Sequence, residues 1–265
     1  MKRFFSVVAT AVVAAGLLSG CGGMPPEANA TSGGPPSSAS GAASLTVFAA
    51  ASLKSTFTEL GHEFEAAHAG AKVTFSFGGS SDLVAQLQNG APADVFASAD
   101  EANMTKATTA GLTAGAPRIF ATNVLEIAVP KGNPAGIHSF QDLAKSGTRL
   151  VVCAQQVPCG SAAQKAAQAA GVTLKPVSEE QSVTDVLGKV ISGDADAGLV
   201  YVTDVKGAGG KVDGVSFSES SAAVNRYPIA ALKGSKDSAL AQEFVDFVRG
   251  DQGRKVLGDA GFGAP

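Results

Sequence analysis

Short apolar runs alternate with amphipathic helical stretches over residues 44–265, and this alternation narrows the possible folds more than any other feature. Residues 45–50 read as a buried strand. In the stretch that follows, Leu53, Phe57, Leu60 and Phe64 fall at spacings of four, three and four, on one face of a helix. Residues 73–77 form the next strand, and Leu83, Val84 and Leu87 mark a second helix. Residues 93–97 read as a third strand, interrupted by Asp94. The alternation resumes with strands at 125–130 and 148–152 and an alanine-rich helix over 161–170. Val183, Val186, Leu187 and Val190 form a further helical stripe, and residues 197–201 return as a buried strand. Residues 227–232 are extended and lead into a helix that turns Leu240, Phe244, Phe247 and Val248 inward. Alternating strands and helices predict an α/β architecture with parallel sheets. Periodicity leaves open whether there is one core or two.

The first 43 residues follow a different logic. Lys2 and Arg3 precede an almost continuous apolar stretch from Phe4 to Leu18, the layout of a secretory signal and too short for a comfortable membrane span. Leu18-Ser19-Gly20-Cys21 resembles the lipobox of bacterial lipoproteins. That resemblance implies a signal peptide over 1–20 and lipidation at Cys21; an ordinary signal with an incidental cysteine is the alternative. Residues 22–43 carry one charge, Glu27, among Gly, Pro, Ser, Ala and Thr. Such a stretch buries too little apolar surface to offset its conformational entropy. Residues 21–43 therefore read as a lipidated cysteine and flexible tether, with a reach of about 25 Å.

Apolar residues make up 45% of the chain, enough for a substantial core in the 222 residues that remain. Removing Lys2 and Arg3 with the signal takes the net charge from −3 to −5, which argues against a nucleic-acid partner. Overall charge also gives no inward pull on an anion. Beyond Cys21, only Cys153 and Cys159 remain. In an oxidising compartment they could close a small loop as a disulfide; two free thiols are the alternative, since close spacing does not guarantee bridgeable geometry.

Enzyme constellations are thin. His62, His68 and His138 lack metal-ligand spacing, and neither a nucleophile elbow nor a P-loop occurs. Asp94, beside Pro92, reads as a turn residue, and Asp100 as the cap of the following helix. What recurs is a small hydroxyl residue where a strand gives way to a helix. Ser52 follows the first strand, Ser80 and Ser81 follow Gly78-Gly79, and Ser161 follows Cys159-Gly160. Helix N-termini present unpaired N–H groups and the positive end of the macrodipole. Several converging at the carboxyl ends of strands make an anion site without a cation. Each serine taken singly is equally readable as a plain N-cap.

Three motifs extend that reading. They are Thr46-Val47-Phe48-Ala49-Ala50-Ala51-Ser52-Leu53, the run from Phe77 to Leu83, and Gly90-Ala91-Pro92-Ala93-Asp94-Val95-Phe96-Ala97-Ser98-Ala99-Asp100. Together they closely resemble the periplasmic molybdate-binding proteins of ABC transporters. The similarity continues through Val157-Pro158-Cys159-Gly160, Gly198-Leu199-Val200-Tyr201, Arg226-Tyr227-Pro228 and Gly261-Phe262-Gly263. It implies a two-lobed periplasmic-binding-protein fold (type II) that closes on its ligand, each lobe a parallel-rich sheet flanked by helices. The chain would cross between lobes near Thr122-Asn123 and near Arg226-Tyr227-Pro228. Lobe 1 would then hold 44–123 plus 228–265, and lobe 2 would hold 124–227.

The resemblance also implies an oxyanion-binding set. Ser52 and Ser80 would each offer a hydroxyl and a backbone N–H, Cys159 and Val183 backbone N–H groups, and Tyr201 its phenolic hydroxyl. Cys159 departs from the small residue, such as Ala, usual at that position, which puts the loop geometry in doubt. Molybdenum would be held as the oxyanion by these residues, with no direct metal ligand and no cofactor. The implied ligand is molybdate or tungstate, and the implied partners are an ABC permease and, through the lipid anchor, the membrane; the chain would act as a monomer. A sulfate-binding protein needs the same donors in a smaller pocket. A lipid-anchored hydrolase using Ser52 or Ser80 would need a nearby base, and the sequence points to none.

Overall fold

The computed structural model describes residues 43–265; the expected signal peptide, Cys21 and the tether up to residue 42 lie outside the described residues. The chain opens with β1 (Ala43–Ala50), then a 3-10 turn (Ala51–Leu53) that runs into α1 (Lys54–Ala67). β2 (Ala71–Gly78), α2 (Ser80–Gln88), β3 (Val95–Ala97), α3 (Glu101–Thr109) and β4 (Arg118–Asn123) follow. Next come β5 (Leu125–Pro130), β6 (Leu150–Cys153), α4 (Pro158–Ala170), β7 (Ser178–Glu180), α5 (Val183–Ile191), β8 (Ala197–Tyr201), α6 (Val202–Gly207) and β9 (Val212–Val215). β10 (Asn225–Ala231), α7 (Ser238–Arg249) and α8 (Asp251–Ala260) complete the chain.

The strands form two five-stranded sheets, ordered β2-β1-β3-β10-β4 and β7-β6-β8-β5-β9. Both are mixed, where the strand–helix alternation predicts parallel sheets. β1 runs parallel to β2 and β3, and β6 parallel to β7 and β8. β10 is antiparallel to β3 and β4, and β5 is antiparallel to β8 and β9. The antiparallel members are the strands by which the chain enters one sheet from the other. Only Val124 separates β4 in the first sheet from β5 in the second. The return comes slightly earlier than expected: Asn225, Arg226 and Tyr227 already pair with Asn123, Thr122 and Ala121 in the first sheet. Residues 225–227, expected on the second-sheet side, thus belong to the first.

Each sheet has its own core. Beside the first, α1 buries Phe57, Leu60 and Phe64 along the face their spacing predicts. Phe57 packs on Phe120 and Phe244 with ring centroids 5.7 and 6.2 Å apart, and Phe64 meets Phe244 at 5.2 Å. Each such side chain contributes about 1.5–3 kcal/mol by burial. Beside the second, Val186 and Val190 of α5 and Ala162, Ala163 and Ala166 of α4 pack with Ile127, Leu150, Val151 and Leu199. Pro158 opens α4 and Gly171 closes it in the left-handed conformation, φ +63°.

Candidate functional site

The carboxyl ends of β1, β2, β6, β7 and β8 each feed a turn that opens a helix. Ser52 lies in the 3-10 turn ahead of α1. Gly79 caps α2, so Ser80 is its first residue. Val157 caps α4, placing Cys159 second in that helix, and Ser182 caps α5 by accepting from the Asp185 N–H, placing Val183 first. Tyr201 ends β8. These five residues, scattered over 150 positions in sequence order from Ser52 to Tyr201, all line one cavity. Ser52 and Ser80 approach from the first-sheet side, and Cys159, Val183 and Tyr201 from the second. None of the five is more than 8% exposed. The space there is small, about 200 Å³ with open solvent included.

No Lys, Arg, His or carboxylate side chain lines this cavity. What faces it instead are helix N-termini, whose first-turn N–H groups have no intrahelical acceptor and carry partial positive charge. The hydroxyls are arranged to donate. Ser80 Oγ accepts the Ala99 N–H at 3.0 Å, which leaves its own proton for the cavity. Ser52 Oγ and the Tyr227 hydroxyl are 3.0 Å apart, so a proton given by Tyr227 frees that of Ser52. The buried Tyr201 hydroxyl has no hydrogen-bond partner of good geometry, although the Tyr227 hydroxyl lies close enough to influence its acidity. Burial drives the pKa of both tyrosines well above the usual phenol value, so both keep their protons. A buried donor left without an acceptor is costly, and an incoming oxygen would remove that cost.

Behind the cavity, Asp204, third residue of α6, accepts the backbone N–H of the N-cap Tyr201 at 2.9 Å. Its carboxyl is fully buried, and desolvation pushes its pKa up to about 7. Loop 154–157 reaches α4 under tight constraint. Cys153 and Cys159 are joined as a disulfide with Cα atoms 5.6 Å apart. A β-carbon on Gly160 would sit 2.0 Å from the Ala154 carbonyl oxygen, so only glycine lets the loop fold this closely over the helix.

Other candidates fall elsewhere. Ser81 is buried on α2 but does not line the cavity, and Ser161 lies beyond the first turn of α4 rather than at its cap. Asp100 caps α3 by accepting the Asn103 N–H at 2.9 Å. Asp94 ties the Thr46 N–H to the Ser235 hydroxyl, a structural role. His62 and His138 are exposed, and His68 stacks on Phe64. Among the described residues no His, Cys, Asp and Glu cluster could hold a metal ion. A larger open groove beside α4, lined by Gln164, Gln168 and Leu174 among others, includes none of the five cavity residues. Three partners escaped the sequence reading: Tyr227, Asp204 and the Ala99 N–H. Asp204 stands three residues after Tyr201, the local spacing at which a first-turn side chain reaches back to the N-cap N–H. The other two act only through tertiary contact.

Residues 45–263 match the bacterial extracellular solute-binding proteins over nearly all of the described chain. The chain belongs to that family. It is thus an exported solute-binding protein, with a role in transport. This solute-binding protein is 49% identical over 256 residues to the molybdate-binding protein ModA of Mycobacterium tuberculosis (strain H37Rv), covering 97% of this chain and 96% of that one. It is 31% identical over 228 residues to the molybdate-binding protein ModA of Escherichia coli (strain K12), covering 82% and 88%. Among solved structures it is similar to the periplasmic molybdate-binding protein of Azotobacter vinelandii, with a TM-score of 0.72, 25% identity, and coverage of 83% of this chain and 99% of that one.

Proposed function

We propose that this solute-binding protein captures molybdate, with tungstate as an equal fit, outside the cell and delivers it to the permease of an ABC importer. Ser52, Ser80, Cys159, Val183 and Tyr201 are the proposed contacts. The observation that carries the reading is a narrow cavity lined by buried residues and furnished only with neutral donors, at which several helix N-termini converge. A buried dianion is tolerable when its oxygens are all hydrogen-bonded, and donors on both walls can meet that need. Such a site also discriminates. Protonated phosphate would bring an O–H with no acceptor, a penalty of about 1–3 kcal/mol. Sulfate is fully ionised and is disfavoured by size, since its shorter bonds leave some donors out of reach. The names of the relatives point to the same ligand.

The two sheets with their helices are the proposed lobes, and the disulfide is proposed to persist in the exported protein. Lipidation of Cys21 would hold the protein at the outer face of the membrane, and intact-mass spectrometry of membrane-extracted protein would detect the added acyl mass. The test of the ligand is a thermal-shift panel of molybdate, tungstate, sulfate and phosphate. Ligand at one hundred times its Kd should stabilise the fold by about 2.7 kcal/mol. Shifts with molybdate and tungstate alone are expected. A shift with sulfate alone would make it a sulfate-binding protein, and no shift with any of the four would remove the oxyanion reading.

A further inference from the structure

An ion can reach the cavity only if its walls part, because all five candidate contacts are buried. Where the walls touch is therefore as much a part of binding as the donors. The closest touch is at Gly79. A β-carbon built there would lie 2.0 Å from the carbonyl oxygen of Gln181, across the cleft, and 3.7 Å from Cγ1 of Val157. With a Cα–Cβ bond of about 1.5 Å, the Gly79 α-carbon is itself within about 3.5 Å of that oxygen, in van der Waals contact. The partner atom is backbone, fixed between β7 and the Ser182 cap of α5, and has no rotamer with which to yield. Gly79 itself has φ −62° and ψ 136°, a conformation open to any residue. Only the close approach requires glycine here. One side chain beside it bridges the same seam, Asn103 Nδ2 donating to the Gln156 carbonyl at 3.4 Å, and within the second wall Gln156 Nε2 donates to Oε1 of Gln181 at 3.3 Å.

We propose that Gly79 is a positioning residue of the oxyanion site: its bare α-carbon against the Gln181 carbonyl is the stop that sets how tightly the two walls shut around the ion. The inference rests on the oxyanion reading above. A methyl group at position 79 would hold the walls at least about 1 Å farther apart at the seam, since heavy-atom contacts near 2 Å are not tolerated. Hydrogen bonds lengthened by that much fall outside bonding range. Ser52 and Ser80 on one wall, and Cys159, Val183 and Tyr201 on the other, then cannot all hold one small ion.

The test compares wild type, Gly79→Ala and Gly188→Ala by calorimetric titration with molybdate, by melting without ligand, and by small-angle scattering with and without molybdate. Gly188 lies exposed on α5, and a β-carbon there would meet nothing. Gly79→Ala is expected to bind molybdate at least about tenfold more weakly, a loss of about 1.4 kcal/mol. Its ligand-free melting temperature should not fall and its molybdate-induced compaction should be smaller than that of wild type, while Gly188→Ala matches wild type in affinity and compaction and melts slightly higher, since alanine favours the helix. Affinity of Gly79→Ala within about twofold of wild type would overturn the inference. So would a lowered ligand-free melting temperature, because the collision would then exist without the ion, and so would weaker binding with full compaction. Binding by wild type with an unaffected Gly79→Ala defeats this inference alone; wild type unresponsive to every oxyanion defeats the parent reading and this one together.

Discussion

Ser80 and Tyr201 face the same cavity but differ in what holds them there. Ser80 Oγ is the acceptor for the buried Ala99 N–H, whereas the Tyr201 hydroxyl has no protein partner of good geometry. Removing them should therefore separate binding from stability. Ser80→Ala orphans the Ala99 N–H and should cost about 1–3 kcal/mol of folding stability as well as affinity. Tyr201→Phe should weaken molybdate binding by about tenfold or more, the loss of one charge-assisted hydrogen bond. The free protein should keep its melting temperature, because no existing bond is lost. Calorimetric titration paired with ligand-free melting reads both outcomes. Equal losses of stability in the two variants would contradict the different partners assigned here. Ser52 and Ser80 could be picked out in the sequence because each sits where an apolar run ends and a helical stripe begins. The Tyr227 hydroxyl that supports Ser52 could not, because it lies 175 positions away and reads locally as one more extended residue.

At the scale of elements, the start of α4 is the most constrained piece of the site. The disulfide closes a seven-residue ring from the end of β6 to the second residue of the helix. Loop entropy alone makes such a ring worth about 2 kcal/mol, and its reduction should also loosen the Cys159 amide. A reductant is expected to lower the melting temperature and to weaken molybdate binding several-fold; unchanged affinity with free thiols, counted by alkylation, would remove the disulfide from the binding argument. Gly160→Ala attacks the same junction sterically. Its β-carbon would meet two backbone carbonyls, at 2.0 and 2.5 Å, and should destabilise the fold by about 1–3 kcal/mol or more in a denaturant titration. Element signals in the sequence were uneven. The stripes of α1, α5 and α7 are strong, because each buries one apolar face against a sheet. α8 carries Gly253 and Gly258, which lower helix propensity, and buries only Val256 and Leu257 besides Gly253. β7 is three residues long and wholly polar, so neither hydropathy nor alternation marks it.

Across the whole molecule, the buried Asp204 links the site to pH. It lies where α6 leaves β8, next to Thr203, whose hydroxyl accepts from Asn123 at 2.8 Å near the first crossing between sheets. Its folded pKa of about 7 exceeds the ordinary aspartate value of 3.8 because burial disfavours the charge. Between about pH 4 and pH 7 the folded state therefore holds a proton that the unfolded chain has released, and stability falls as pH rises through that window. Above about 7 the effect levels off. Asp204→Asn keeps an oxygen acceptor for the Tyr201 N–H and cannot ionise. The stability of wild type relative to this variant should decline by up to about 4 kcal/mol from pH 4 to pH 8, measured by denaturant titration. A difference that stays constant with pH would mean that Asp204 is ionised throughout. The half-buried carboxylates Asp142, Asp196 and Asp213, held low by hydrogen bonds or ion pairs, act in the opposite sense and cancel in this comparison.

The main strand–helix alternation, the apolar faces of α1, α5 and α7, and the small hydroxyl residues at helix starts were determined by the sequence alone, because periodicity and helix-start chemistry act over a few neighbouring residues; β4, β7, α6, β9 and α8 left no such mark. The resemblance drew Cys159, Val183 and Tyr201 into the same candidate set. Tertiary structure decided the rest. It made both sheets mixed, since β5 and β10 are the strands that enter from the opposite sheet. It set the Gly79 α-carbon against the Gln181 carbonyl, 102 positions away, and left the Tyr201 hydroxyl without a partner. Those features depend on contacts between segments far apart in the chain, and no local pattern encodes such a distance.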